Sequence, residues 1–314
     1  MIVRLLTVVL AGTALVSTAD AQTYSIGSNP QGSLAYAAAA GVAKVASEDF
    51  GIKARVVPQG GPVVTIPLVD SGRLNFSITA SVMAAFAHTG TGTFKGKKKS
   101  NFRVAASLMP LRVAWIVRAD SDIKSMADLK GKRVPTKYTK QRIVGIFQWA
   151  ALNTVGLGPK DVIGVPVPNG VRGIQDFMAG KTDAGNFSIS SGIVRQAHAA
   201  VGGIRVLPVP DTADALSKLR EIAPGTVITT VTAAAKSPGI TVPTRVAESP
   251  LMLTAGHKTP DEIVYQVVKA IYHGKKKLIG VHKAYRGFNP KTINVDIGVP
   301  YHPGAMKLFK EMGL

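Results

Sequence analysis

The stretch at residues 112–135, RVAWIVRADSDIKSMADLKGKRVP, decides the fold. Its apolar run ending at Val117 has the composition of a buried strand, and a polar turn follows. Ser125, with Asp128 three residues on, has the form of a capping box and predicts a short helix. The corner at Gly131-Lys132-Arg133 opens a new strand, so the chain enters a second α/β unit here. The expectation is an α/β protein of two lobes with a cleft between them.

Outward from this stretch, strands alternate with helices. Strands are predicted at 24–27, 54–57, 76–79, 104–108 and 113–117, and past the crossing at 133–136, 162–167, 183–187 and 205–209. A last apolar run at 245–254 can carry the chain back to the first lobe. The clearest helix is 259–277, with Thr259 at the N-cap, Pro260 at the first helical position and Glu262 completing the box. Ile263, Val267, Ala270 and Ile271 form its apolar stripe, and Ile143, Phe147, Ala150 and Ala151 give 141–155 the same period. This alternation predicts mostly parallel sheets with helices on both faces. No repeat or low-complexity linker divides the chain, so the lobes should interleave: 22–117 with 247–314 as lobe I, 118–246 as lobe II, with hinges near Val117 and Val246.

Arg4, the short apolar run 5–16 and the triplet Ala19-Asp20-Ala21 read as a cleaved signal peptide over residues 1–21, leaving Gln22 as the new N-terminus. The run is too short to span a bilayer, and no later segment approaches about 18 uninterrupted apolar residues. The absence of cysteine excludes disulfides, thiolate metal sites and cysteine nucleophiles together. Net charge is +20, with lysines clustered at Lys95, Lys97, Lys98 and Lys99 and again at Lys275, Lys276 and Lys277. Aromatic interleaving is poor and the protein is secreted, so no nucleic-acid partner is expected; the excess reads as solvated surface whose field steers anionic solutes.

Residues that could carry chemistry lie in loops that leave strands and open helices. Gly27-Ser28-Asn29-Pro30-Gln31-Gly32-Ser33 leads into a helix at Leu34, Gln59-Gly60-Gly61 into one at Pro62, and Thr79-Ala80-Ser81 into a third. Free backbone N–H groups at such points favour an anion, and the carboxyl ends of strands in open α/β sheets are where ligands bind. Catalytic patterns are missing. His88, His198, His257, His273, His282 and His302 show no metal-ligand spacing, and there is no G-x-S-x-G elbow or Walker loop. The run Gly90-Thr91-Gly92-Thr93-Phe94-Lys95-Gly96 misses the dinucleotide spacing by one residue. No cofactor, metal or enzymatic activity is expected.

Residues 24–61, 71–94, 106–134 and 299–314 resemble the TAXI family, the extracytoplasmic solute receptors of TRAP-type transporters. The most specific pieces are Gln59-Gly60-Gly61 with Ser71-Gly72, the run from Ile123 through Ala127-Asp128-Leu129 to Arg133, Gly180 with Asp183-Ala184, and Tyr301-His302-Pro303-Gly304-Ala305. The resemblance implies a two-lobed type II periplasmic-binding-protein fold, a periplasmic location and a small solute, usually a carboxylate, delivered to membrane subunits. It also implies a binding site. Together with the loops above, it picks out Ser28, Asn29, Gln31, Gly32, Ser33, Tyr36, Gly60, Gly61 and Ser81 in lobe I, and Thr136, Lys137, Tyr138, Thr139 and Asn186 in lobe II. The chain departs from the family pattern in its first loop, at Ala80-Ser81-Val82, and at Thr136-Lys137-Tyr138-Thr139-Lys140-Gln141, where positive charge is added. From these departures, Lys137 is expected to select an anion and Tyr138 to offer it a flat wall. The receptor is expected to be a monomer. Two other readings fit the same fold: a sensor for a membrane kinase and a secreted dehydratase-like enzyme.

Overall fold

The computed structural model describes residues 22–233 and 237–314; the signal peptide expected at 1–21 lies outside the described residues. The chain runs β1 (Tyr24–Ser28), α1 (Leu34–Phe50), β2 (Ala54–Pro58), α2 (Pro62–Asp70), β3 (Phe76–Ala80), α3 (Ser81–Thr89) and β4 (Phe102–Arg118). It continues through β5 (Arg133–Lys137), α4 (Arg142–Asn153), β6 (Ile163–Val167), α5 (Gly170–Met178), β7 (Ala184–Ser188), α6 (Gly192–Ala200), β8 (Ile204–Leu207), α7 (Ala215–Ile222) and β9 (Val227–Val231). It returns by β10 (Thr244–Gly256) and ends with α8 (Asp261–His273), α9 (Lys275–Val281) and α10 (Pro303–Glu311). This is the two-lobed α/β architecture expected.

β2, β1 and β3 pair in parallel, as do β5 and β6. The long strands β4 and β10 lie antiparallel through the middle and tie the lobes together. Toward lobe I, β10 pairs with β3; toward lobe II, β4 takes β7 and β8 while β10 takes β9. β4 begins to pair with β7 at Val113, so the crossing falls earlier than the hinge expected near Val117. Pro110 faces Pro250 across the ladder there. Neither has an amide hydrogen, so both strands lack a donor at the same level. Beside this gap Arg112 Nε donates to Glu248 Oε2 at 2.7 Å.

Packing follows the layers. In lobe I the apolar face of α1, including Ala38, Val42 and Val45, packs with Val267 and Ile271 of α8 over Ile26, Phe76 and Leu253. In lobe II, Trp115, Val117 and Ala184 pack against Ala151 and Leu152 of α4, while Ile116, Ile174 and Phe187 fill the other face. Asp183 clamps β5, accepting from the backbone N of Arg133 at 2.8 Å and from its Nη2 at 2.6 Å.

Four expectations need correction. The strands expected at 104–108 and 113–117 are one strand, β4, because the intervening Met109, Pro110 and Leu111 stay extended against β10. The short helix after Ser125 is only a 3₁₀ turn, Ala127–Leu129. The Asp128 carboxylate accepts from Lys124 N, Ser125 N and Ser125 Oγ, bonds that hold its pKa below the usual value, but Gly131 at φ 70° turns the chain before a helix can propagate. The helix at 259–277 is two, broken at Gly274. A Cβ there would stand 2.4 Å from the Ala270 carbonyl oxygen of α8 and 3.0 Å from Val45 Cγ1 of α1, so this tight turn out of α8 requires glycine. Thr259 is not the cap of that helix, since its hydroxyl donates to the Asn75 carbonyl at 3.0 Å. Strand β9 had no counterpart in the sequence reading. Only one of its residues, Val231, is fully buried, so its pattern lacks the apolar run used to find the others.

Candidate functional site

The carboxyl ends of β1, β2 and β3 point toward lobe II, and each hands its chain to a helix there. From the other side α4 and α6 begin. Ser33 Oγ caps α1 by accepting from Tyr36 N at 3.1 Å. By contrast α2, α3, α4 and α6 start with no side-chain cap, which leaves their first N–H groups free of side-chain partners.

The lobes meet at three points. Ile193 N, at the start of α6, donates to the Gly32 carbonyl at 3.2 Å. Gly60 and Gly61 press on the 140–141 turn, where a Cβ at Gly60 would lie 2.5 Å from Lys140 Cβ. Arg195 Nη1 donates to the Ser190 carbonyl at 2.9 Å, and its Nη2 lies 3.4 Å from His282 Nε2. Burial, and then the Arg195 charge, hold the His282 imidazole below its ordinary pKa.

Between these contacts lies a cavity of ≈ 30 Å³. Asn29, Ser33, Leu34, Pro62 and Thr79 line it from lobe I, Leu111, Val113 and Leu251 from the crossing strands, and Gln141, Ile143, Val144, Phe147, Phe187 and Ser188 from lobe II. Small-molecule pockets run from about 300 Å³ upward, so the space between the lobes as they stand is too small for one. Among the described lining residues none is charged. Gln141 Oε1 is taken by the Gly170 N–H at 2.8 Å, at the start of α5. Asn29 Oδ1 and Ser188 Oγ are buried and have no hydrogen-bond partner. Such orphaned groups are costly, and here one comes from each lobe.

Of the residues picked out from the sequence, Asn29 and Ser33 line this cavity, and Gly32, Gly60 and Gly61 sit at its lip against lobe II. Ser28 Oγ donates to the Asn29 carbonyl at 2.9 Å and so shapes the loop from behind. Gln31 is exposed, and Tyr36 is half-buried along α1. Ser81 Oγ is 2.8 Å from Ser249 Oγ, which joins α3 to the crossing strand.

The lobe II loop is placed differently from the expectation. Lys137 and Thr139 are exposed, and neither lines the cavity. Thr136 faces β6, close to Gly164. Tyr138 is buried outside the cavity lining: its hydroxyl donates to Gln148 Oε1 at 2.7 Å, and burial pushes its phenol up. Lys137 at φ 65° and Tyr138 at φ 41° are, among the described residues, the only non-glycine residues in the left-handed region. That costly double turn folds Tyr138 inward and leaves Lys137 outside. Asn186 is buried on β7 opposite Trp115, with both amide atoms unpartnered, outside the cavity lining.

Sequence reasoning missed the apolar wall. Phe147 is visible only as part of a helical stripe, Phe187, Val113 and Leu251 read as ordinary strand residues, and Leu111 and Ser188 fall just outside the expected strands. No local signal marks them, since their convergence depends on how β4, β7 and β10 cross.

These features define a class: a two-lobed α/β protein of the periplasmic-binding-protein type, its cavity set between strand ends and crossed by two connecting strands. The solute-binding protein MatC from Rhodopseudomonas palustris, solved with bound malate, superposes with a TM-score of 0.61 over 92% of this chain and 95% of that one at 13% identity. PhnD1 from Prochlorococcus marinus, in complex with methylphosphonate, gives 0.55 over 93% and 97% at 11% identity. The alkanesulfonate-binding protein SsuA from Xanthomonas axonopodis pv. citri, bound to MOPS, gives 0.54 over 92% and 90% at 14% identity. At these identities the likeness establishes the fold. The chain belongs to the NMT1-like family, whose sequence profile matches residues 26–313.

Proposed function

We propose that this protein is a periplasmic receptor that captures a small organic anion between its lobes and delivers it to the membrane subunits of a TRAP-type transporter. The observation that carries the reading is the interlobe cavity, lined in part by the uncapped starts of α2, α3 and α4 and holding an orphaned polar atom from each lobe. Neutral N–H donors at helix starts stabilise an anion without a lysine or arginine. The three structural neighbours named above hold malate, methylphosphonate and MOPS, each of which bears an anionic group, which favours the same class of solute here. Delivery to TRAP-type subunits rests on the motif resemblance, as does a periplasmic location on the leader at 1–21. The hinge is placed at the Pro110–Pro250 pair, where neither strand has an amide hydrogen to give the ladder.

Thermal-shift screening of the mature chain against carboxylates, sulfonates and phosphonates tests the receptor function. A ligand present at about 100 times its dissociation constant stabilises by about 2.7 kcal/mol. A saturable rise in midpoint with a member of the panel is expected. A flat response across it would sink the reading. Genes for transporter subunits beside this one, and capture of the closed receptor by those subunits, test the delivery step.

A further inference from the structure

We propose that the solute is an organic acid with a single ionised group, an apolar body and a neutral hydroxyl, of the kind represented by aryl or branched-alkyl 2-hydroxy acids. The inference rests on the receptor reading above and narrows it.

Charge comes first. No charged residue is among the described cavity lining, and nearby cations are engaged or outside. Arg112, between the lining residues Leu111 and Val113, is paired with Glu248 and by strand alternation points to the opposite face. Arg195 is held by the Ser190 carbonyl beside His282. Lys137, Lys140 and Arg142 are exposed. The uncapped starts of α2, α3 and α4, which put Pro62, Ala80 and Ile143 on the cavity lining, supply neutral donors for one carboxylate. A second carboxylate, or an ammonium, would meet Phe147, Phe187, Ile143 and Val144 with no counter-ion, and a desolvated charge without a partner is strongly disfavoured. Dicarboxylates and amino acids are therefore excluded by the wall rather than by size.

The same wall favours an apolar body, because Phe147 and Phe187 present buried aromatic surface at the cavity. The hydroxyl follows from the orphans. Ser188 is 4% exposed, its Oγ has no partner, and it lines the cavity from the end of β7. Its hydroxyl can donate to a carboxylate. Asn29 Oδ1, across the cleft, is an acceptor without a donor. An ionised carboxylate has no hydrogen to give it, and a neighbouring hydroxyl has one.

Isothermal titration of the mature protein with mandelate, 2-hydroxy-4-methylpentanoate, phenylacetate, malate and glutamate tests this. Mandelate or 2-hydroxy-4-methylpentanoate should bind at least tenfold more tightly than malate and glutamate, and mandelate severalfold more tightly than phenylacetate. Ser188→Ala, with an unchanged melting midpoint to show that it folds, should weaken mandelate about fivefold. Tighter binding of malate or glutamate overturns the single-charge inference while leaving the receptor standing. Equal binding of mandelate and phenylacetate overturns the hydroxyl. If these five fail while another anion from the thermal-shift panel binds, the inference falls alone; if nothing in the panel binds, the receptor reading falls with it.

Discussion

Gly60→Ala isolates the closing of the lobes. A Cβ at Gly60 would stand 2.5 Å from Lys140 Cβ and 3.2 Å from the Lys140 carbonyl oxygen. Carbon atoms settle at about 3.5–4.0 Å, so the two loops must separate by roughly 1 Å. Gly60 is not in the left-handed region, so alanine costs lobe I nothing by itself. Lys140 Cβ is fixed to its backbone, and that turn is tied to lobe II by the Lys140 N–H to the Pro168 carbonyl at 2.9 Å. The strain is therefore relieved by opening, which also stretches the Ile193 to Gly32 bond. Overpacking of this kind costs about 1–3 kcal/mol. Since about 1.4 kcal/mol is tenfold in an equilibrium, the closed population should fall by about fivefold to a hundredfold. The chain has no cysteine, so Lys44→Cys on α1 and Lys160→Cys before β6, both exposed, can carry a dye pair across the lobes. The variant should move the energy-transfer distribution to longer distances with the melting midpoint unchanged. An unchanged distribution with a lowered midpoint would mean that the 140–141 turn deforms instead, and would refute closure through this contact.

His282 predicts a pH dependence. Its pKa is lowered at the lobe contact, so protonation, which the open form accepts near the ordinary 6.5, is resisted in the closed form; closure is unaffected above that pH and weakens as pH falls below it. The same dye pair should report opening between pH 7 and 5, and His282→Gln should flatten the response. Ser249→Ala leaves Ser81 Oγ buried without its partner and should cost about 1–3 kcal/mol in urea denaturation, while the Ser81→Ala, Ser249→Ala double variant should recover most of it. Asn186→Leu removes two orphaned amide atoms from a buried position and should raise the melting midpoint; a fall would show that the amide is paired in solution.

What the sequence made legible is what neighbours in the chain decide. The Ser33 cap, the glycine-rich turn at Gly60-Gly61 and the apolar stripe of α4 are set within a few residues, and the structure has them where the patterns put them. The misses come from distant partners. Asp128 is a competent cap, yet the glycine turn behind it stops the helix. Gly274 breaks a good helical pattern in a turn so tight that a Cβ would strike the Ala270 carbonyl one turn back. Lys137 and Tyr138 follow a strand in a loop matched by family resemblance, but two successive left-handed residues send the tyrosine into the core and the lysine to solvent. Nothing in the order of side chains announces that pair of dihedrals.

On the receptor reading proposed above, the charge of +20 and the uncharged cavity act at different stages of capture. A positive surface raises the encounter rate of any anion, and it does so at range and under salt screening, so it distinguishes an anion from a cation but not one acid from another. On that reading selection occurs after water is expelled, where the lobes offer N–H groups, the uncharged polar side chains of Asn29, Ser33, Thr79, Gln141 and Ser188, and an apolar wall. In that setting an ion with one charge can exchange its hydration for neutral donors, and a second charge finds none. Adding salt should accordingly slow association of every acid alike while leaving their order of affinity intact. A site that chose its ligand through Lys137 would instead lose its preference among acids as ionic strength rose, because an exposed ammonium is screened together with the rest of the surface.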